Sequence, residues 1–322
     1  MSKLICIGEI LIDFIPLEKG VKLKDVVTFE RVAGGAPANV AACVSRLGEK
    51  AFMISKLGTD AFGDYLIETL NNVGVNTSNV MQTNEANTGL AFVSLDATGN
   101  RDFSFYRNPS SDMLLDESEV SEDLFEANDI LHFCSVDLIN APVKKAHKRA
   151  IKYALDRECI ISFDPNVRLP LWDNPLELKE TIMEFVPYAH ILKISDEELE
   201  FITGKNRIEK ALPQLFIGNV KIVIYTKGPN GCELYTKRRT FQHNGFIVDA
   251  VDTTGSGDSF IGAFLYQLLD AKRTLNNILR SDFDQLIQFS NAVGALVATR
   301  KGGIPSMPRI NVVNEFIAKG TD

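Results

Sequence analysis

Short apolar runs rich in β-branched residues, at 4–7, 52–56, 130–133, 160–163, 190–193 and 221–226, alternate along this chain with longer stretches of helical period. A strand, a crossing helix and a further strand lay the strands parallel with helices over both faces, so the alternation selects an α/β fold with a mostly parallel sheet. Most of the runs are continuously apolar, as strands buried on both faces should be. The best helical stretches are 37–47, 61–73, 142–157, 196–202, 258–269 and 285–299, with Pro37 near one start and Gly48 and Gly74 just past two ends. The rhythm breaks at 11–31 and 87–111. There 89–95 and 102–106 alternate in period two around a Gly99-Asn100 turn signal. These two excursions read as a small, half-exposed sheet projecting from a main domain made of 1–10, 32–86 and 112–322.

The chain has 322 residues, 45% of them apolar, enough to bury a sizeable core and too many for a disordered chain. Lys and Arg number 34 against 42 Asp and Glu, and this excess of acid repels polyanions. No nucleic-acid or membrane-surface partner is expected, because the densest basic stretch, Lys237-Arg238-Arg239, reads as a solvated hairpin tip. Five scattered cysteines with no C-x-x-C pair argue against a disulfide framework or a structural zinc and place the chain in reducing cytoplasm. Gly8 and Glu9 interrupt the first apolar run too early for a signal peptide, and no run of 18 apolar residues occurs. The four histidines show no metal spacing.

Two glycine segments carry the chemistry. The first, Asp252-Thr253-Thr254-Gly255-Ser256-Gly257-Asp258, feeds directly into an apolar helix. Residues without Cβ let backbone amides approach a ligand, and a helix start favours an anion, so phosphate is the natural guest. Asp258 either complements the helix dipole or serves as the base that takes a proton from an attacking alcohol. No G-x-x-x-x-G-K-[ST] occurs, and Phe260 stands where a dinucleotide fingerprint needs Gly or Ala. The second segment, Gly34-Gly35-Ala36-Pro37-Ala38-Asn39, opens another helix. Its exposed backbone and the Asn39 amide suit sugar hydroxyls, or else small residues let the helix pack closely while Asn39 satisfies nearby backbone.

Gly34-Gly35-Ala36-x-x-Asn39-x-Ala41 with Arg46-Leu47-Gly48, and downstream Asp252-Thr253-x-Gly255-x-Gly257-Asp258, resemble the two signatures of the ribokinase-like (PfkB-type) carbohydrate kinases. Further blocks, 8–14, 105–115, 163–172 and 193–199, resemble the fructokinases of bacterial and plant type within that family. The resemblance implies a ribokinase-like three-layer sandwich with a small β-sheet lid. It implies an ATP-dependent kinase acting on the 6-hydroxyl of D-fructose, with 2-keto-3-deoxygluconate, ribose or an aminoimidazole riboside as alternative acceptors. A silent sugar sensor on the same fold is the alternative of another class.

Residue by residue, the resemblance makes Asp258 the general base and Gly255, Ser256 and Gly257 the anion hole. Asp13, Gly34, Gly35 and Asn39 match positions that bind sugar hydroxyls; Phe105, Arg107, Asn166 and Arg168 match substrate-side positions, with surface ion pairs as the plain alternative for both arginines. On the nucleotide side lie Ser195, Glu198, Thr226, Lys227, Gly228, Gly231 and Asn291. Ser195 stands where the family has Asn, and Ser195 with Glu198 equally forms a capping box. Asp252, Thr254, Val297, Arg300, Gly302 and Ser306 resemble a monovalent-cation site, with K⁺ as the activator expected there. Magnesium should arrive with ATP, held by phosphate oxygens and water, since no carboxylate cage is visible. Lid sheets with exposed edges invite pairing between two subunits.

Overall fold

The computed structural model describes residues 2–18, 20–95 and 101–319; the Gly99-Asn100 turn lies outside them. In chain order the elements are β1 (Leu4–Ile7), β2 (Leu11–Pro16), β3 (Phe29–Gly34), α1 (Ala36–Leu47), β4 (Ala51–Gly58), α2 (Ala61–Asn72), β5 (Asn76–Thr83), β6 (Leu90–Leu95) and β7 (Arg101–Tyr106). There follow β8 (Ile130–Cys134), α3 (Pro142–Asp156), β9 (Ile160–Asp164), α4 (Pro175–Phe185), β10 (Ile191–Ser195), α5 (Asp196–Thr203), α6 (Ile208–Leu215) and β11 (Ile222–Thr226). The last are β12 (Cys232–Thr236), β13 (Thr240–His243), α7 (Ser256–Asp270), α8 (Phe283–Ala298) and α9 (Ile310–Lys319).

Among the described residues, nine strands form one sheet in the order β13-β12-β11-β10-β9-β8-β1-β4-β5. Every pairing from β5 to β11 is parallel, and β12 and β13 close that end antiparallel. The continuous apolar runs are explained by burial on both faces. In β1, Leu4 and Cys6 pack with α1, α7 and α8, while Ile5 and Ile7 pack with α3 and α4 on the opposite face. β5 carries no apolar run, because it is the outer strand and half-exposed. Lys237, Arg238 and Arg239 are exposed between the antiparallel β12 and β13, the hairpin tip that the sequence predicts.

β3, β2, β6 and β7 form the second, four-stranded sheet. β2 pairs antiparallel with β3 and parallel with β6, and β6 pairs antiparallel with β7. Its apolar face gathers Phe14, Phe29, Phe92 and Tyr106, with Phe14 stacked on Phe92 at 4.8 Å between ring centroids. Phe14 also meets Phe62 of α2 edge-on at 5.9 Å, which seats the small sheet against that helix. β3 runs on to Gly34, so both Asp13 and Gly34 stand in the small sheet, at the point where the chain enters α1.

Candidate active site

Ligands of open parallel sheets bind beyond the carboxyl ends of the strands, and here the ends of β9 and β10 face the glycine-led starts of α1 and α7. Gly255 caps α7 with φ +77°, a left-handed conformation that favours glycine. No side chain caps this helix. The Ser256 amide donates to the Thr253 carbonyl at 3.2 Å, and those of Gly257 and Asp258 are left to an incoming anion. Ser256, Gly257 and Asp258 are the first three helical residues, two earlier than the start at 258 that apolar periodicity predicts.

Asp258 is buried and held on both oxygens. Asn39 Nδ2, from α1, donates to Oδ2 at 2.8 Å, and Asn166 Nδ2, just past β9, donates to Oδ1 at 3.1 Å. Burial raises the carboxyl above its ordinary value, against the opposing effects of the Asn39 bond, Lys193, Arg168 and Asn166. Asn166 holds φ +53°, an uncommon conformation for a residue with Cβ, and so aims its amide at the carboxylate. The sequence places Asn39 and Asn166 on the sugar; the structure gives one amide hydrogen-bond donation of each to Asp258.

Asp13 and Gly34 come together across β2 and β3. A Cβ at Gly34 would stand well inside contact distance of Asp13 Oδ2, so only glycine leaves the carboxylate its position. At Gly35, φ +109°, an added Cβ would likewise stand well inside contact distance of the Glu9 carbonyl oxygen. Phe105 lies half-buried on β7, opposite Ala91.

Arg107 is not the surface ion pair that is its plain alternative in the sequence. Its guanidinium is buried and pairs with Asp112 and Asp137, and Ser110 accepts from Nε at 3.3 Å. Glu9 lies close enough to exert its charge on the same guanidinium, and burial pushes the Glu9 carboxyl up to about 7. Arg168 remains half-buried, with Nη1 donating to the Val167 carbonyl at 3.0 Å.

On the nucleotide side, Glu198 closes the capping box by accepting from the Ser195 amide at 2.9 Å, and its other oxygen accepts from the Val167 amide at 2.7 Å. Glu198 thereby ties the start of α5 to the loop that carries Arg168. Thr226 ends β11, and Gly228 (φ +51°) and Gly231 (φ +81°) shape the turn after it. Lys227 pairs with Glu233 at 2.7 Å. Asn291 Nδ2 lies 3.4 Å from Cys232 Sγ and 3.2 Å from His243 Nδ1, so α8 faces the β12–β13 edge there.

Asp252 stitches the glycine loop to the C-terminal segment. Its Oδ1 accepts from the Thr254 amide and hydroxyl at 2.9 and 2.7 Å, and its Oδ2 accepts from the Gly302 amide at 3.0 Å. The Val251 amide donates to Ala298, the Arg300 amide to the Val297 carbonyl, and Ser306 Oγ to the Gly303 carbonyl. The residues expected around a monovalent cation are thus gathered in one place.

Sequence reasoning assigns no role to the pair under this site, Lys193 and Asp164, whose Nζ and Oδ2 lie 2.7 Å apart.

Residues 1–310 match the family described as pfkB family carbohydrate kinase. The chain belongs to this family. It is a phosphotransferase with an alcohol group as acceptor. A probable fructokinase-2 of Arabidopsis thaliana is 44% identical over 302 residues, covering 94% of this chain and 91% of that one. The fold is similar to that of a fructokinase with bound ATP from Xylella fastidiosa, with TM-score 0.90, 31% identity and 100% of both chains covered. It is also similar to a fructokinase of Vibrio cholerae O395 in a fructose-, ADP- and calcium-bound form, with TM-score 0.89, 32% identity and coverage of 98% of this chain and 99% of that one. The ribokinase-like fold and the kinase family that the two glycine signatures imply are therefore those of the chain.

Proposed function

We propose that this kinase transfers the γ-phosphoryl group of ATP to the 6-hydroxyl of D-fructose, with Asp258 as general base. The observation that carries the reading is the placement of Asp258. It is a buried carboxylate, fixed on both oxygens, in the first turn of a helix whose glycine-led start no side chain caps. The base and the proposed phosphate cradle thus share one helical turn, which fixes them side by side. The sugar hydroxyl would give its proton to Asp258 as its oxygen attacks, while the Gly255, Ser256 and Gly257 amides hold the charge on the transferring group. Asp13, with Gly34 and Gly35 beside it, would accept from other hydroxyls of the sugar. The small sheet would close over the site and exclude water as a competing acceptor.

Magnesium would neutralise phosphate charge during transfer. Among the described residues no group of three His, Cys, Asp or Glu could hold a metal, and the ion would be held by phosphate oxygens and water. Asp252, Thr254, Val297, Arg300, Gly302 and Ser306 would hold K⁺ and order the anion-hole loop. Ser195, Glu198, Thr226, Lys227, Gly228, Gly231 and Asn291 would border the nucleotide.

Fructose is favoured over an acidic sugar by the fate of Arg107. A ketoacid needs cations at its carboxylate, and the Arg107 guanidinium is already paired with Asp112 and Asp137. ADP release is measured with MgATP and K⁺ across D-fructose, ribose, 2-keto-3-deoxygluconate, glucose and inosine, with the product identified by NMR. Fructose-dependent turnover yielding fructose 6-phosphate is expected. Turnover with another acceptor alone overturns the sugar assignment, and silence across the panel favours a sensor.

Two further features belong to this reading. Five free cysteines are all buried, which supports a reducing, cytoplasmic compartment. β3 and β7 are the outer strands of the small sheet; Tyr106 on β7, and Leu17 and Val27 in the connection between β2 and β3, are exposed. A homodimer pairing through this sheet would cover them. Sedimentation equilibrium is expected to give a dimer, and a monomer at all concentrations removes that part of the reading.

A further inference from the structure

Lys193 and Asp164 make a buried ion pair to which the reaction above gives no work. β10 runs parallel to β9, with Ile191 opposite Ser162 and Leu192 opposite Phe163. The next residues in register bring Lys193 Nζ to 2.7 Å from Asp164 Oδ2, with side chains only 6% and 2% exposed. Asp164 Oδ1 is buried with no hydrogen-bond partner. A buried pair is a weak source of stability, so its location is the more informative fact. A Cβ on Gly257 would sit 3.6 Å from Lys193 Nζ. The ammonium therefore lies directly under the first turn of α7, one residue from Asp258.

The charges facing this point come from several elements. Glu198 of α5 and Asp258 of α7 both act on Lys193, and Arg168, past the end of β9, acts on Asp258. From β8, His132 is held neutral by burial, with its pKa pushed down to about 3, and the buried Cys134 thiol is pushed up. Cys43 of α1 is likewise pushed up by burial and by Asp258. Asn39 and Asn166 carry no charge. The cations that can oppose the desolvation of Asp258 are thus Lys193 and Arg168, and Lys193 is the buried one.

We infer that Lys193 is a positioning residue for the transfer: its ammonium, steadied by Asp164 beneath the anion-hole loop, keeps Asp258 in the carboxylate form that accepts the sugar proton. The inference rests on Asp258 being the base. Lys193 lowers the Asp258 pKa, and Asp164, its own carboxyl lifted by burial to about 7, partly offsets Lys193 where it is ionised, so their removal should act in opposite senses.

The test is the acid limb of kcat/KM against pH for fructose. Lys193→Met is expected to move the limb up by about one pH unit, the scale of a neighbouring charge. Asp164→Asn is expected to move it down, and Lys193→Arg to leave it near that of the wild type. If Lys193→Met does not fold, Asp164→Asn/Lys193→Met carries the test, since it leaves no lone member of the pair. Its limb should still lie above that of the wild type, because Lys193, and not Asp164, is among the main charges acting on Asp258. Unmoved limbs with kcat lowered at every pH would make the pair merely structural and overturn the inference. The two readings fail separately. Wild-type turnover in Asp258→Asn removes the base itself, whereas a dead Asp258→Asn with unmoved limbs removes only the role of Lys193.

Discussion

Asp258→Asn is expected to phosphorylate fructose about 10²–10⁴-fold more slowly than the wild type, the range over which a positioned base contributes. Sugar affinity, read by calorimetry, should change little, because the residues proposed to grip the sugar, Asp13, Gly34 and Gly35, lie on the small sheet and the start of α1. The isosteric amide also retains the space between Asn39 and Asn166. Stability separates this outcome from general damage. Asp258 has its folded pKa raised by burial, so its contribution to stability is greatest below the unfolded carboxyl pKa and is lost as pH rises through the folded one. At neutral pH the ionised group costs stability, and its neutral replacement should unfold at an equal or higher temperature. Loss of turnover together with a lower melting temperature would instead mark Asp258 as structural, and unchanged turnover would remove it as base.

How much of this was legible follows distance along the chain. Gly255, Gly257 and Asp258 lie within four positions, so their loop, their helix and their shared chemistry could be read together. The buried strands announced themselves by continuous apolar runs, whereas β5, with half-exposed Thr77, Val80 and Met81 on an outer strand, left no such run. The partners of Asp258 were beyond reach of pattern. Asn39 is 219 residues away and Asn166 is 92, and only the convergence of α1, the end of β9 and the start of α7 brings them within hydrogen-bond distance. Lys193 and Asp164 are 29 apart, and only the parallel register of β9 and β10 makes them a pair. A motif shows which side chains are available to a site; the register of the sheet decides which of them meet.

Arg107→Ala is expected to cost about 3–5 kcal/mol of folding stability, the scale for breaking a buried ion pair by removing one partner. Arg107 follows β7 of the small sheet, Asp137 follows β8 of the main sheet, and Glu9 lies between β1 and β2. The guanidinium thus neutralises carboxylates from both sheets where they join. Among the described residues, Glu9 Oε2 and Asp137 Oδ2 are buried without hydrogen-bond partners, which leaves their charge to the guanidinium. Burial already lifts the Glu9 carboxyl to about 7 and raises that of Asp137, against the lowering effect of Arg107. Without the arginine both rise further. A carboxyl raised in the folded state stabilises below its unfolded pKa and loses that contribution as pH rises through the folded one. The deficit of Arg107→Ala in urea unfolding should therefore be larger at pH 8 than at pH 5.5. Arg107→Lys keeps the charge without the planar fork that reaches both Asp112 and Asp137, and should fall between the two. Wild-type stability in Arg107→Ala at both pH values, with only the fructose KM raised, would return Arg107 to the substrate side and reopen the acidic sugars as acceptors.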